Sequence, residues 1–206
     1  LTNMYVQGSN INIKNNFLKK LYCGNDADST YNINIFNNIF YDGSPSIEFR
    51  GGYYEDDANH NNWTIISNVC MGSISTYDDD NTIFFINNII NGSMSTEFLT
   101  DENSVVMYNI SSSNTLPEGN GNLNNVDLST VFVDYTNGDY HLATNSPALG
   151  AGEGGVDMGA YDGSYPFGAF VDNGIPAIPA IINLVSPYTA QQQNGLQIQI
   201  TTKSNN

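Results

Sequence analysis

Positive charge is the scarcest property of this chain. Five Lys and Arg stand against 21 Asp and Glu in 206 residues, leaving a formal net charge of −16. Five cations cannot neutralise many phosphates, which excludes an ordinary electrostatic nucleic-acid binder. Cysteine is scarce too. Cys23 and Cys70 are the only two, either one disulfide or two buried thiols. No run of about 18 apolar residues occurs, so no membrane-inserting helix can be drawn. The most apolar late stretch, Ile175 to Val185, is broken by Pro176 and Pro179. The chain opens on Leu1 without a basic segment leading into an apolar one. Charged residues make up only 13%, so most of the polarity has another source.

That source is asparagine, with 32 residues. Apolar residues reach 40%, with 13 Tyr and 10 Phe, a supply too rich for disorder. Five segments share one pattern: Ile11-Asn-Ile13-Lys-Asn-Asn16-Phe17, Ile33-Asn-Ile35-Phe-Asn-Asn38-Ile39, Trp63-Thr-Ile65-Ile-Ser-Asn68-Val69, Ile83-Phe-Phe85-Ile-Asn-Asn88-Ile89 and Ser104-Val-Val106-Met-Tyr-Asn109-Ile110. With the aligned Asn as position zero, apolar residues fall at −5, −3 and +1, Ser104 excepted. The aligned Asn are 22, 30, 20 and 21 residues apart.

The −5/−3 alternation has period 2 and predicts a strand with one buried face. Its Ile, Val, Phe and Trp side chains suit a pleated surface. The Asn turns the chain, and the apolar +1 residue opens a second short strand. Ser46-Ile47-Glu-Phe49, Ser73-Ile74-Ser-Thr-Tyr77 and Ser93-Met94-Ser-Thr-Glu-Phe98 trail their Asn by similar distances and predict a further strand. A period near 21 is short for a helical hairpin, and Leu is too rare for a leucine-rich repeat. The pattern predicts an all-β, parallel β-helix whose coils stack at about 4.8 Å.

Stacking explains the Asn. A turn residue repeated in each coil forms a ladder, and an amide can donate to one neighbour while accepting from the other. Repeated Asp would stack like charges. Asn also tolerates the left-handed backbone region that sharp turns use. Asn16, Asn38, Asn68, Asn88 and Asn109 are therefore expected to be structural. The 30-residue interval holds an insertion at Gly51-Gly-Tyr-Tyr-Glu-Asp-Asp-Ala-Asn-His60.

The Asn-Asn-Ile/Phe turns resemble the repeat of the right-handed parallel β-helix (pectate-lyase-like) superfamily. A later segment is more specific: Gly138-Asp-Tyr140-His-Leu142-Ala-Thr-Asn-Ser146-Pro147-Ala148-Leu-Gly-Ala-Gly152, then Asp157-Met-Gly159-Ala160-Tyr161. It resembles the closing segment of many secreted, often Bacteroidetes, β-helix proteins. The resemblance covers about residues 1 to 165. It implies about five or more coils and a C-terminal cap packed over the end of the helix. It says nothing about activity. The period is lost over residues 117 to 165, as a cap requires. Coils beginning almost at Leu1 lead us to expect that the natural protein continues upstream. Residues 1–165 are thus read as coils plus cap, 166–182 as a Pro-containing linker, and 183–206 as a terminal strand segment. That last piece is either the start of an immunoglobulin-like module or a tail strand, with Leu196, Ile198 and Ile200 on one apolar face.

Chemistry is thinly signalled. Lyases of this fold remove a proton with Lys or Arg. The five cations here, Lys14, Lys19, Lys20, Arg50 and Lys203, place no two on one stacked face, so they read as surface charge. Asp78-Asp79-Asp80 and Glu55-Asp56-Asp57 are the acidic runs. They either solvate turns or supply Ca²⁺ with oxygen ligands, with Asp78, Asp79, Asp80, Glu55 and Asp57 as the candidate set. Asp26 and Asp28 carry less. The polygalacturonase carboxylate motifs are absent. His60 and His141 are too separated to pair. Tyr53 and Tyr54, with Arg50 beside them, are the candidates for stacking on sugar rings; Trp63 occupies a core register position. The expectation is a secreted or cell-surface β-helix segment, without catalysis, for polysaccharide binding, adhesion or display, whose partner is a polysaccharide or surface glycan, neighbouring subunits or neighbouring domains of a larger parent chain. The alternatives are the C-terminal fragment of a polysaccharide lyase or hydrolase whose catalytic coils lie upstream, and a structural spacer.

Overall fold

A computed structural model describes residues 3–24, 32–42, 45–50, 61–76, 81–99, 101–162, 168–172, 180–185 and 199–203. The chain divides into two compact units, residues 1–170 and 171–206.

The first unit is built on three parallel sheets visited in rotation. The first sheet takes Met4–Val6, Leu21–Cys23, Ile47–Phe49 and Ile74–Thr76, with Met94 bridging to Ile74. The second takes Ile11–Lys14, Ile33–Phe36, Asn61–Ile66, Asn81–Ile86 and Val105–Met107. The third takes Phe17–Leu18, Ile39–Phe40, Val69–Cys70, Ile89–Ile90 and Ile110–Ser111. Within each sheet the successive strands pair in parallel. This is the arrangement of a β-helix-like solenoid.

The predicted register holds. Ile13, Ile35, Ile65, Phe85 and Val106 stand in one column, and Ile11, Ile33, Trp63 and Ile83 in another. Both columns join the inward faces of the other sheets in one apolar cluster. Trp63 is 1% exposed and stacks on Phe49 at 3.9 Å, with Phe98 edge-on at 5.9 Å. Ser104, the one polar −5 residue, accepts the Ile83 N–H on its hydroxyl at 3.0 Å. It thereby supplies a bond where the last strand of the sheet has not yet begun.

The Asn ladder runs through the corner between the second and third sheets. Asn16, Asn38, Asn68 and Asn88 each donate both backbone N–H and side-chain Nδ2 to Oδ1 of the next rung, at 2.8–3.1 Å. Asn109 does the same to Asn122 at 3.0 and 3.1 Å. Each Nδ2 also reaches strand carbonyls; Asn68 takes those of Ile35 and Ile66 at 2.8 and 3.0 Å. Two expectations change. The left-handed residue is the one before the rung, namely Asn15, Asn37, Ser67, Asn87 and Tyr108, with φ between 51° and 58°. The rung itself is spared that conformation because its backbone N–H must face the next amide. The ladder also continues 13 residues beyond Asn109, to Asn122, into a stretch where the period is lost.

The C-terminal part of this unit does not sit where the resemblance placed it. Residues 112–125 close the last rung, with Leu116 in the interior cluster and Leu123 bridging to Ile110. Residues 126–162, together with Phe170, instead lie along the outer face of the third sheet. There Ile39, Val69, Ile89 and Ile110 pack with Leu128, Val131, Phe132, Tyr140, Ala148, Met158, Ala160 and Phe170. Four of these, Tyr140, Ala148, Met158 and Ala160, belong to the specific motif. Asp139 Oδ1 binds the His141 backbone N–H and ring at 3.1 and 2.7 Å. Gly159, at φ 96°, donates to the Asn87 carbonyl at 2.8 Å. A Cβ on Gly159 would meet Ile89 Cδ1 at 2.9 Å, so any other residue here must displace that methyl and also adopt a positive φ.

In the second unit, Ala180–Val185 pairs antiparallel with Gln199–Lys203.

Candidate functional site

The outer face of the first sheet gathers the residues best suited to hold a ligand. Strand register aligns Tyr5, Tyr22, Glu48 and Ser75 in one outward column. Strands lie about 4.8 Å apart, which is the separation at which two aromatic rings on adjacent strands can stack. Tyr5 and Tyr22 do so, with centroids 4.7 Å apart and planes within 9°. Tyr5 lies in the edge strand and is 70% exposed.

Two cations meet the Tyr22 ring. Lys20 Nζ lies 5.7 Å from its centroid and Arg50 Cζ 5.0 Å, within cation–π range. This corrects the expectation that no two cations share a face. Lys20 precedes one strand and Arg50 follows the next, so their approach comes from register rather than sequence spacing. Arg50 Nε also pairs with Glu48 Oε1 at 2.6 Å. Glu48 is 6% exposed, and an unpaired carboxylate there would carry a desolvation cost. Arg50 therefore has two local roles, neutralising Glu48 and covering Tyr22. Its backbone N–H donates to the Cys23 carbonyl at 2.8 Å, which fixes where the side chain starts.

Chemically, the cluster offers an open aromatic face and two phenol hydroxyls in one column, with cationic N–H donors beside it. Such a surface can stack on the apolar face of a sugar ring and hydrogen-bond its hydroxyls. Lys20 was weighed among the five cations and read as surface charge, whereas Tyr5, Tyr22 and Glu48 carried no sequence signal beyond the apolar alternation of Met4–Val6, Leu21–Cys23 and Ile47–Phe49. Of the residues that were singled out, Arg50 lies in the cluster. Tyr53, Tyr54, Glu55, Asp56, Asp57, His60, Asp78, Asp79 and Asp80, with Asp26 and Asp28, lie outside the described residues. Lys14 is exposed on the second sheet. Lys19 pairs with Asp42 at 2.9 Å, and that carboxylate raises its pKa.

Cys23 and Cys70 are free and buried, and burial pushes both thiols up. They sit on different sheets. His141 stacks on Tyr161 at 4.1 Å, and its hydrogen bonds hold the Asp139 carboxyl below the usual range. Among the described residues, no group of three or more His, Cys, Asp or Glu could hold a metal ion, and no helix is long and apolar enough to cross a membrane. No protein-family model, curated protein or solved structure matches this chain.

Proposed function

We propose that this chain is a non-catalytic, secreted or cell-surface segment that binds a polysaccharide or surface glycan, on a right-handed parallel β-helix of the pectate-lyase-like superfamily. The observation that carries the reading is the Tyr5–Tyr22 stack flanked by Lys20 and Arg50. Aromatic rings on two successive coils present an extended surface along the solenoid, which suits a polymer better than a small ligand. Nothing in the cluster resembles a nucleophile with an adjacent base. The 51–60 insertion follows Arg50 directly in the sequence and carries Tyr53 and Tyr54, the other aromatic candidates for sugar contact.

A glycan array tests this, run with and without a chelator so that any Ca²⁺ requirement through the acidic runs is seen. Binding that falls by about tenfold or more in Tyr5→Ala and Tyr22→Ala supports the reading, since one aromatic contact is worth about 0.5–1.5 kcal/mol beyond its area. Silence on every glycan would remove it. The lyase alternative draws on the convergence of Lys20 and Arg50. It calls for new unsaturated-uronate absorbance that disappears in Arg50→Ala.

A further inference from the structure

The corner residues just before the ladder rungs carry polar atoms that the protein leaves unmatched. Asn37, Ser67 and Asn87 occupy successive coils, have φ of 51°, 55° and 58°, and are each 0% exposed. The residues 152–162 cross over them. Asn37 Nδ2 donates to the carbonyls of Ala160 and Asp162 at 3.1 and 3.0 Å, so its Oδ1 is left as an acceptor. Asn87 Oδ1 accepts the Glu153 N–H at 2.8 Å, so its Nδ2 is left as a donor. Neither amide can be turned round without losing those bonds. Asn37 Oδ1, Ser67 Oγ and Asn87 Nδ2 have no hydrogen-bond partner among the described residues.

We propose that this corner holds a row of one or two internal water molecules, running from Asn87 Nδ2 through Ser67 Oγ to Asn37 Oδ1. The polarity of the three groups matches such a row. A donor stands at one end, an acceptor at the other, and a hydroxyl that is both lies between them. Neighbouring coils are about 4.8 Å apart, which exceeds a direct hydrogen bond of about 2.7–3.2 Å and leaves room for a bridging water. The donor at Asn87 disfavours a cation in the row, and the acceptor at Asn37 disfavours an anion.

Ser67 supplies the space. Asn suits a left-handed turn better than Ser, and Asn fills the positions on both sides. Ser67 is thus a local departure from backbone preference, and its side chain is two heavy atoms shorter. The row ends on the two amides that hold residues 152–162, so the water fixes the groups that clamp this lateral segment to the sheets.

High-resolution crystallography and NMR of the full chain test the proposal. Density within hydrogen-bonding distance of Ser67 Oγ is expected, together with long-lived water cross-peaks to the Asn87 side-chain amide protons. Ser67→Asn fills the space with a side chain the turn accepts, and should abolish those cross-peaks while the circular dichroism spectrum stays unchanged. Ser67→Ala keeps the space, and should retain water at Asn87. The proposal is overturned if the wild type shows neither density nor cross-peaks, or if Ser67→Asn leaves them intact.

Discussion

Removing a central rung of the Asn ladder should cost far more than removing its end. Asn68 is 0% exposed. Its Oδ1 takes the Asn38 backbone N–H at 2.9 Å, and its Nδ2 serves Ile35 and Ile66 carbonyls and Asn88 Oδ1. In Asn68→Ala, the Asn38 N–H and the Ile35 carbonyl lose these bonds in a site closed to water. The buried Asn38 N–H left unsatisfied costs about 1–3 kcal/mol, and each buried bond lost with the Nδ2 amide adds about 1 kcal/mol, so the change predicts about 2–6 kcal/mol. That is a large part of the roughly 5–15 kcal/mol by which a domain is stable. At about 2–4 °C per kcal/mol for a unit of this size, the melting temperature should fall by roughly 10 °C. Asn16 sits on the first rung and is part-exposed, so water replaces what Asn16→Ala removes and the loss should stay near 1 kcal/mol or below. Asn68→Asp adds a pH signature. Its carboxyl would face carbonyl oxygens in a buried site, which raises its pKa. The variant should therefore lose about 1.4 kcal/mol per pH unit as pH climbs above roughly 4, until the folded form ionises. Urea melts of the three variants from pH 4 to 8 measure all of this. Equal losses at Asn16 and Asn68, or a flat pH response in Asn68→Asp, would refute the ladder as the reason for the Asn.

Other consequences follow from burial and backbone geometry. Trp63→Ala should cost about 3–5 kcal/mol in a denaturant melt, because a fully buried ring is lost between Phe49 and Phe98; a loss under 1 kcal/mol would mean that the core collapses freely. Gly159→Ala places a methyl against Ile89 at a positive φ, for about 1–3 kcal/mol, and limited proteolysis should then cut residues 126–170 sooner than in the wild type. Burial raises the Cys23 and Cys70 thiols in the fold, so their stabilising contribution is full below the unfolded thiol value of about 8.5 and falls as pH rises above it. Each thiol then costs about 1.4 kcal/mol per pH unit. Replacing both by Ala should flatten the alkaline limb of stability relative to wild type, and superimposable limbs would contradict the burial argument.

The second sheet and its corner were legible because their spacing is invariant. Within each of the five segments from Ile11 to Asn109 the inward residues at −5 and −3 keep a fixed offset from the rung, so period 2 and the repeated Asn stand out together. The first sheet was not legible in the same way. Leu21, Ile47 and Ile74 align in space yet follow their rungs by 5, 9 and 6 residues. A connection of varying length hides the column that brings Tyr22, Glu48 and Arg50 together, since no fixed offset relates them. Asn122 was missed for a similar reason. It adds a rung after only 13 residues, without first- or second-sheet strands between, and Gly121 takes the left-handed position before it.

The apolar +1 residue held information that its strand was too short to reveal. A strand of two residues shows one inward and one outward side chain, so alternation cannot be seen. In the third sheet Phe40, Cys70 and Ile90 point inward, and the +1 residues Ile39, Val69 and Ile89 point outward. An outward residue that is apolar in every coil has to be covered, and residues 126–162 with Phe170 cover it. At the first rung, Phe17 remains 38% exposed, and Tyr41 stacks on it at 4.7 Å, with Tyr140 and Phe170 tilted against it at 6.3 and 6.4 Å. The motif from Gly138 to Tyr161 is thus the complement of the +1 column rather than a lid for the last coil. That assignment gives one repeat three outward faces with different fates: the third buried by the chain's own later segment, the second carrying the Asn34–Asn12 amide pair and the Phe36, Ile66 and Ile86 column, and the first bearing the stacked tyrosines and their two cations.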